Sequence, residues 1–123
     1  MATLEQQRAQ FAWEAVNNAH HAVPQFGEYK NLAKGAPALI MGNGLMAALA
    51  FYQSRDKPHA RLLVSNVLGW LARRRMVPND FMAAMNGFFQ ASSLDYRIAT
   101  DEALAMLKWL RQFADAISET DAG

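Results

Sequence analysis

The chain contains no cysteine. That excludes disulfides, thiolate metal sites and cysteine nucleophiles together, and it fits a reducing compartment such as the cytoplasm. Histidine is scarce: three residues in 123, of which His20 and His21 are adjacent. Adjacent helical side chains point to different faces, so these two imidazoles do not chelate one ion. Neither they nor His59 have a carboxylate at metal-ligand spacing, and no metal or cofactor is expected. Catalytic groups are equally sparse. Ser54 and Ser65 have no partner base suggested by the sequence, and Asp101-Glu102 falls in a helix, where such a pair usually faces water. No catalytic residue is assigned, and the chain reads as a non-enzyme.

Strand signals are missing too. No segment alternates apolar and polar residues, and no Asn-Gly turn sits between alternating runs. A long clean apolar run is also lacking. The longest uncharged stretch, Gly35 to Ser54, carries Gly35, Pro37, Gly42, Asn43 and Gly44 in its first half. A membrane-spanning helix of about 20 apolar residues does not hold that many breakers, so no membrane partner is expected. The N-terminus shows no basic segment leading into an apolar one, the mark of a secretory leader.

What is present is helical periodicity in a chain that is 52% hydrophobic, of a length that suits one domain spanning residues 1–123. Thr3 and Gln6 have capping-box spacing. Leu4, Arg8, Phe11, Ala15, Val16 and Ala19 then recur at three- and four-residue steps. This helix should stop before Pro24. A second begins between Gln25 and Glu28, is weakened at Gly35 and is expected to restart at Pro37. The segment after Gly44, LMAALAFYQSR, is apolar nearly all round, which predicts a place in the middle of a bundle. Pro58 opens the next helix, Pro78-Asn79-Asp80 separates it from FMAAMNGFFQ, and Ser92 or Ser93 caps a last helix over about Leu94 to Ile117. The expected fold is a compact all-α bundle of five to seven helices. Trp70, Met82, Phe88, Phe89 and Trp109 fall at helical spacing and read as core rather than as a stacking platform.

The segment Gly42-Asn43-Gly44-Leu45-Met46-Ala47 imitates the start of a dinucleotide-binding loop. Such a loop needs a preceding strand and an acidic residue about 20 positions on, and both are absent. Gly42 and Gly44 read instead as positive-φ positions in a tight turn between helices.

Charge is the remaining signal. The net charge is only +1, but its placement is uneven. From Lys30 to Arg75 there are eight basic residues (Lys30, Lys34, Arg55, Lys57, Arg61, Arg73, Arg74 and Arg75) and one acid, Asp56. The rest of the chain holds four basic and ten acidic side chains. Lys30 and Lys34 share a helix face. On one continuous helix, Arg61 and Arg75 would lie within about 40° of each other. Arg73, Arg74 and Arg75 could flank a groove with Arg55 and Lys57. Such a cluster attracts phosphate without reading sequence. From charge alone, a nucleic-acid surface, a partner-binding face and a plain solvated face stand level. A DNA-binding regulator ranks behind them, because HARLLVSNVLGWLARRR is too apolar to lie in a groove.

The stretch YKNLAKGAPALIMGNGLMAALAFYQSR, Tyr29 to Arg55, resembles the signature of the Cmr-type small subunit of type III-B CRISPR effector complexes. The matching residues are Tyr29, Pro37, Leu39-Ile40, Asn43-Gly44-Leu45 and Leu49-Ala50-Phe51. The segment Tyr96 to Ile117 is similar to that family's closing helix through Tyr96-Arg97, Thr100, Glu102-Ala103-Leu104, Trp109-Leu110 and Phe113-Ala114. Ala36 departs from the larger residue expected before the proline. The resemblance implies a small, all-helical, non-catalytic subunit. Its copies would stack head to tail in a minor filament beside the backbone and large subunits, and its basic face would hold guide and target RNA by their phosphates. The rival expectation is a helical adaptor whose basic face binds an acidic protein.

Overall fold

The computed structural model describes residues 1–122, with side chains through residue 117. Six helices follow in order: α1 (Leu4–Ala22), α2 (Phe26–Asn43), α3 (Leu45–Ser54), α4 (Pro58–Arg73), α5 (Phe81–Gln90) and α6 (Ser93–Ala122). Among the described residues there is no strand, so the all-α expectation holds. No described helix is long and apolar enough to cross a membrane. The last helix continues to Ala122, beyond the Ile117 end that periodicity indicates.

The starts and stops follow local chemistry. The Thr3 side chain accepts the Gln6 N–H while the Gln6 side chain accepts the Thr3 N–H, so two otherwise unpaired donors of α1 are satisfied. Thr3→Ala should cost about 1 kcal/mol, read as a lower urea midpoint with an unchanged slope. Asp80 accepts the Ala83 N–H at α5, and Ser92 accepts the Asp95 N–H at α6. Pro58 opens α4, where its missing N–H is no loss.

Pro37 does not restart α2. The helix runs unbroken through it. Tyr29, Ala33, Ala36 and Ile40 form one continuous buried stripe, and a break at Pro37 would throw the two halves of that stripe out of register. Gly42 is helical. Only Gly44 takes a positive φ, at +91° with ψ 158°. Its N–H donates to the Ile40 carbonyl and its carbonyl accepts the Ala48 N–H, so one residue ends α2 and begins α3. Tyr96 completes the junction, its hydroxyl accepting the Met46 N–H at 3.0 Å.

α6 packs on α1, α2 and α4, while α3 rests on α2 and α4 and α5 on α4. Beside α2 it runs antiparallel, with Tyr96 at the Gly44 junction and Asp115 near Lys30. The core between them holds Val16, Tyr29, Leu45, Leu63, Trp70 and Leu107. Burial pushes the Tyr29 phenol well above its ordinary range, and its hydroxyl donates to the Asn66 side-chain oxygen.

Three expectations about packing are corrected. α3 is not in the middle: it buries Leu45, Ala48, Leu49 and Tyr52 and leaves Phe51 48% exposed. Met82 and Phe89 are not core, at 74% and 69% exposed, because α5 turns only its Ala84–Phe88 face inward, where Phe88 packs edge-on to Tyr96 of α6. Glu102 does not face water. It is 6% exposed, and its carboxylate accepts Arg8 Nε at 2.7 Å, Arg8 Nη2 at 2.8 Å and Trp70 Nε1 at 2.9 Å.

Candidate nucleic-acid interface

The eight basic residues between Lys30 and Arg75 form three groups rather than one face. Lys30 and Lys34 lie one turn apart on α2. Lys30 turns toward α6, where its Nζ is 3.4 Å from Asp115 Oδ1, and Lys34 is exposed without an ion pair among the described residues. Arg55, Lys57 and Arg61 gather at the start of α4. Arg55 is the residue after α3, Lys57 precedes Pro58, and Arg61 is in the first turn. Arg73, Arg74 and Arg75 lie at the far end.

α4 separates the last two groups by about 20 Å, since each residue adds about 1.5 Å. No groove joins Arg73–Arg75 to Arg55 and Lys57. Arg61 and Arg75 do not share a helix face either. α4 ends at Arg73, Arg74 caps it, and Arg75 adopts a left-handed φ of 60° that turns the chain toward Met76. The three arginines still emerge together at one corner.

The partners of these cations differ. Arg61 Nη2 is 3.1 Å from Asp56 Oδ1. The Arg73 guanidinium lies 5.2 Å over the Phe11 ring, and that of Arg55 lies 5.6 Å over Phe51. Among the described residues, Lys34, Arg55, Lys57, Arg73, Arg74 and Arg75 make no ion pair. Arrays of unpaired, exposed cations suit phosphate groups, because pairing there releases counterions and leaves no buried charge uncompensated.

The histidines do different things. His20 packs edge-on to Phe26 with ring centres 5.0 Å apart. His59 is buried, and its Nε2 lies 3.1 Å from Glu28 Oε2, a carboxylate that α2 brings to it across the bundle. No described set of three or more histidine and carboxylate side chains could hold a metal ion.

The sequence reading missed the Arg8–Glu102–Trp70 cluster. The signal was there: both charged residues sit inside apolar stripes, Arg8 between Leu4 and Phe11, Glu102 between Ala99 and Met106. The Arg8 hydrogen bonds, reinforced by the Trp70 N–H, hold the Glu102 carboxyl below its ordinary range despite burial, and the same bonds raise Arg8. Arg8 also reaches Glu5 at 3.1 Å, and Glu5 accepts the Trp109 indole N–H.

Known proteins share this architecture. A family model described as CRISPR-associated protein (Cas_Cmr5) matches residues 4–117. The CRISPR system Cmr subunit Cmr5 of Thermus thermophilus is 34% identical over 119 residues, covering 97% of this chain and 99% of its own. The crystal structure of a CRISPR-associated Cmr5 family protein, also from Thermus thermophilus, superposes with a TM-score of 0.82 at 33% identity, covering 94% of this chain and 97% of that one. The helical bundle with its clustered cations is therefore that of a CRISPR-associated protein. Within that class, the chain belongs to the Cmr5 family, as the segments at Tyr29–Arg55 and Tyr96–Ile117 indicate.

Proposed function

We propose that the chain is the non-catalytic small subunit of a type III-B Cmr ribonucleoprotein effector complex in the cytoplasm. Copies of it stack head to tail in the minor filament beside the backbone and large subunits, and its cations hold the backbone of guide and target RNA. The observation that carries the RNA role is the six cations without an ion pair at the Lys34, Arg55–Lys57 and Arg73–Arg75 positions. Sequence reading in such a complex is delegated to base pairing, so phosphate contacts suffice. The exposed Met82 and Phe89 on α5 support the assembly role, since apolar residues in this number on one short helix suit a protein contact. A contact between two different faces of the same chain does not close, and it generates a filament.

Affinity purification of the tagged chain from its native cells tests this reading. Recovery of backbone and large effector subunits with guide RNA sharing a repeat-derived end is the expected result. Recovery of an acidic protein partner without RNA would overturn it in favour of a helical adaptor. In the reconstituted complex, Arg73→Ala/Arg74→Ala/Arg75→Ala should lower the slope of log affinity against log salt by about 2, at 0.7 per phosphate contact. An unchanged slope removes this corner from the interface.

A further inference from the structure

A cavity of about 570 Å³ opens between the start of α2 and the α3–α4 turn. Its polar lining divides into satisfied and free groups. At its floor, buried His59 lies against Glu28, and the Gln25 amide, with its nitrogen turned inward, donates to both Glu28 oxygens at 2.9 Å. Those three groups satisfy one another. The Asn31 amide, the Arg55 guanidinium and the Lys57 ammonium line the same cavity, and among the described residues they have no hydrogen bond or ion pair. Two free cations and one free amide thus converge on a single concave site. Leu32, Pro24 and Pro58 supply its apolar wall.

The neighbouring surface adds a stacking element. Phe51 is half-exposed, and the Arg55 guanidinium lies over its ring. An arginine plane beside an exposed aromatic ring offers flat faces to an unstacked base, whatever its identity. The cavity is too small to admit a duplex, and its size fits one nucleotide.

We infer that this cavity is a subsite for one nucleotide of single-stranded RNA, with a phosphate held between Arg55 and Lys57. The sugar lies along the Leu32 and Pro58 wall with its hydroxyl on the Asn31 amide, and the base turns out toward Phe51 at the rim. The inference rests on the RNA-holding role proposed above and locates it at one end of α4.

Fluorescence anisotropy of the full chain with a short labelled single-stranded RNA tests it, with the matching DNA and a poly-glutamate competitor as controls. Arg55→Ala/Lys57→Ala should bind the RNA about tenfold more weakly, with a salt slope smaller by about 0.7, the value for one phosphate contact. Asn31→Ala should weaken RNA and leave DNA unchanged. All three side chains are exposed, so circular dichroism should show an intact fold. Wild-type affinity in the Arg55/Lys57 variant, alongside weakened binding in Arg73→Ala/Arg74→Ala, overturns the subsite and leaves the proposed function standing. Equal loss of RNA and DNA binding in Asn31→Ala overturns the ribose contact. Displacement of the RNA by poly-glutamate at equal charge overturns the nucleotide assignment.

Discussion

Glu102→Ala will unfold roughly 15 °C below the native chain. Removing one partner of a buried ion pair costs about 3–5 kcal/mol, and a domain of this size loses about 3–5 °C per kcal/mol. The variant leaves Arg8 without the carboxylate that holds its Nε and Nη2, and leaves the Trp70 N–H without an acceptor inside the core. Glu5 still reaches Arg8 Nη1, but it is exposed and offers little compensation. Thermal unfolding by circular dichroism reads the shift. A loss below about 3 °C would show that water or repacking satisfies Arg8 and Trp70. The double variant Arg8→Met/Glu102→Leu should lose less than either truncation, because it removes both charges.

The same cluster predicts an acid dependence. Glu102 ionises at lower pH in the fold than in the unfolded chain, where its value is about 4.3. The folded state therefore binds fewer protons, and the pair's contribution is complete above that pH and lost as pH falls through the depressed folded value. The gap in stability between the native chain and Glu102→Ala should be widest near neutrality and narrow below about pH 4. A gap that persists unchanged into strong acid would mean that packing rather than ionisation sets the cost.

Gly44→Leu is the second large effect. At φ +91° and ψ 158°, the backbone occupies a region nearly reserved for glycine, where a side chain adds about 1–3 kcal/mol of strain. A Cβ there would sit 3.5 Å from the Tyr96 hydroxyl. That contact is ordinary in itself, but the branches beyond it would press on the group that accepts the Met46 N–H. Overpacking adds about 1–3 kcal/mol, for a total of about 2–6 kcal/mol. Gly42→Ala should act in the opposite direction. Gly42 is helical, and a Cβ added there would meet nothing within 4 Å, so alanine should stabilise by about 0.5–1 kcal/mol. Urea unfolding of the two variants gives shifts of opposite sign; shifts of the same sign would refute the assignment of the turn to Gly44 alone.

That contrast shows where the sequence is legible. Helix boundaries marked by side-chain chemistry, such as Thr3, Pro58, Asp80 and Ser92, can be read directly because the deciding atoms are local. Pro37 could not be read correctly, since its tolerance depends on a buried stripe completed by α3, α4 and α6. Gly42 and Gly44 look alike in sequence, and only the packing of Tyr96 distinguishes them. Met82 and Phe89 carry core-like side chains on a helix that buries only its Ala84–Phe88 face. Arg8 and Glu102 could each be seen inside an apolar stripe, but nothing local pairs residues 94 positions apart. The basic segment was visible as a count. Its division into three groups was not, because α4 is a rigid spacer and Asp115, which takes Lys30, lies far along the chain.

The distance between Arg8 and Glu102 along the chain also bears on biosynthesis. α6 packs on α1, α2 and α4, so the earlier helices are complete before the surface that covers them exists. At about 5–20 residues per second, a ribosome makes Glu102 roughly 5–20 s after Arg8. Throughout that interval Arg8 has only the exposed Glu5 as a partner, and the apolar stripe on α1 stays open. Stalling before α6 is made leaves helices whose apolar stripes lack their cover, so translation of the α6 segment is expected to bear most on yield.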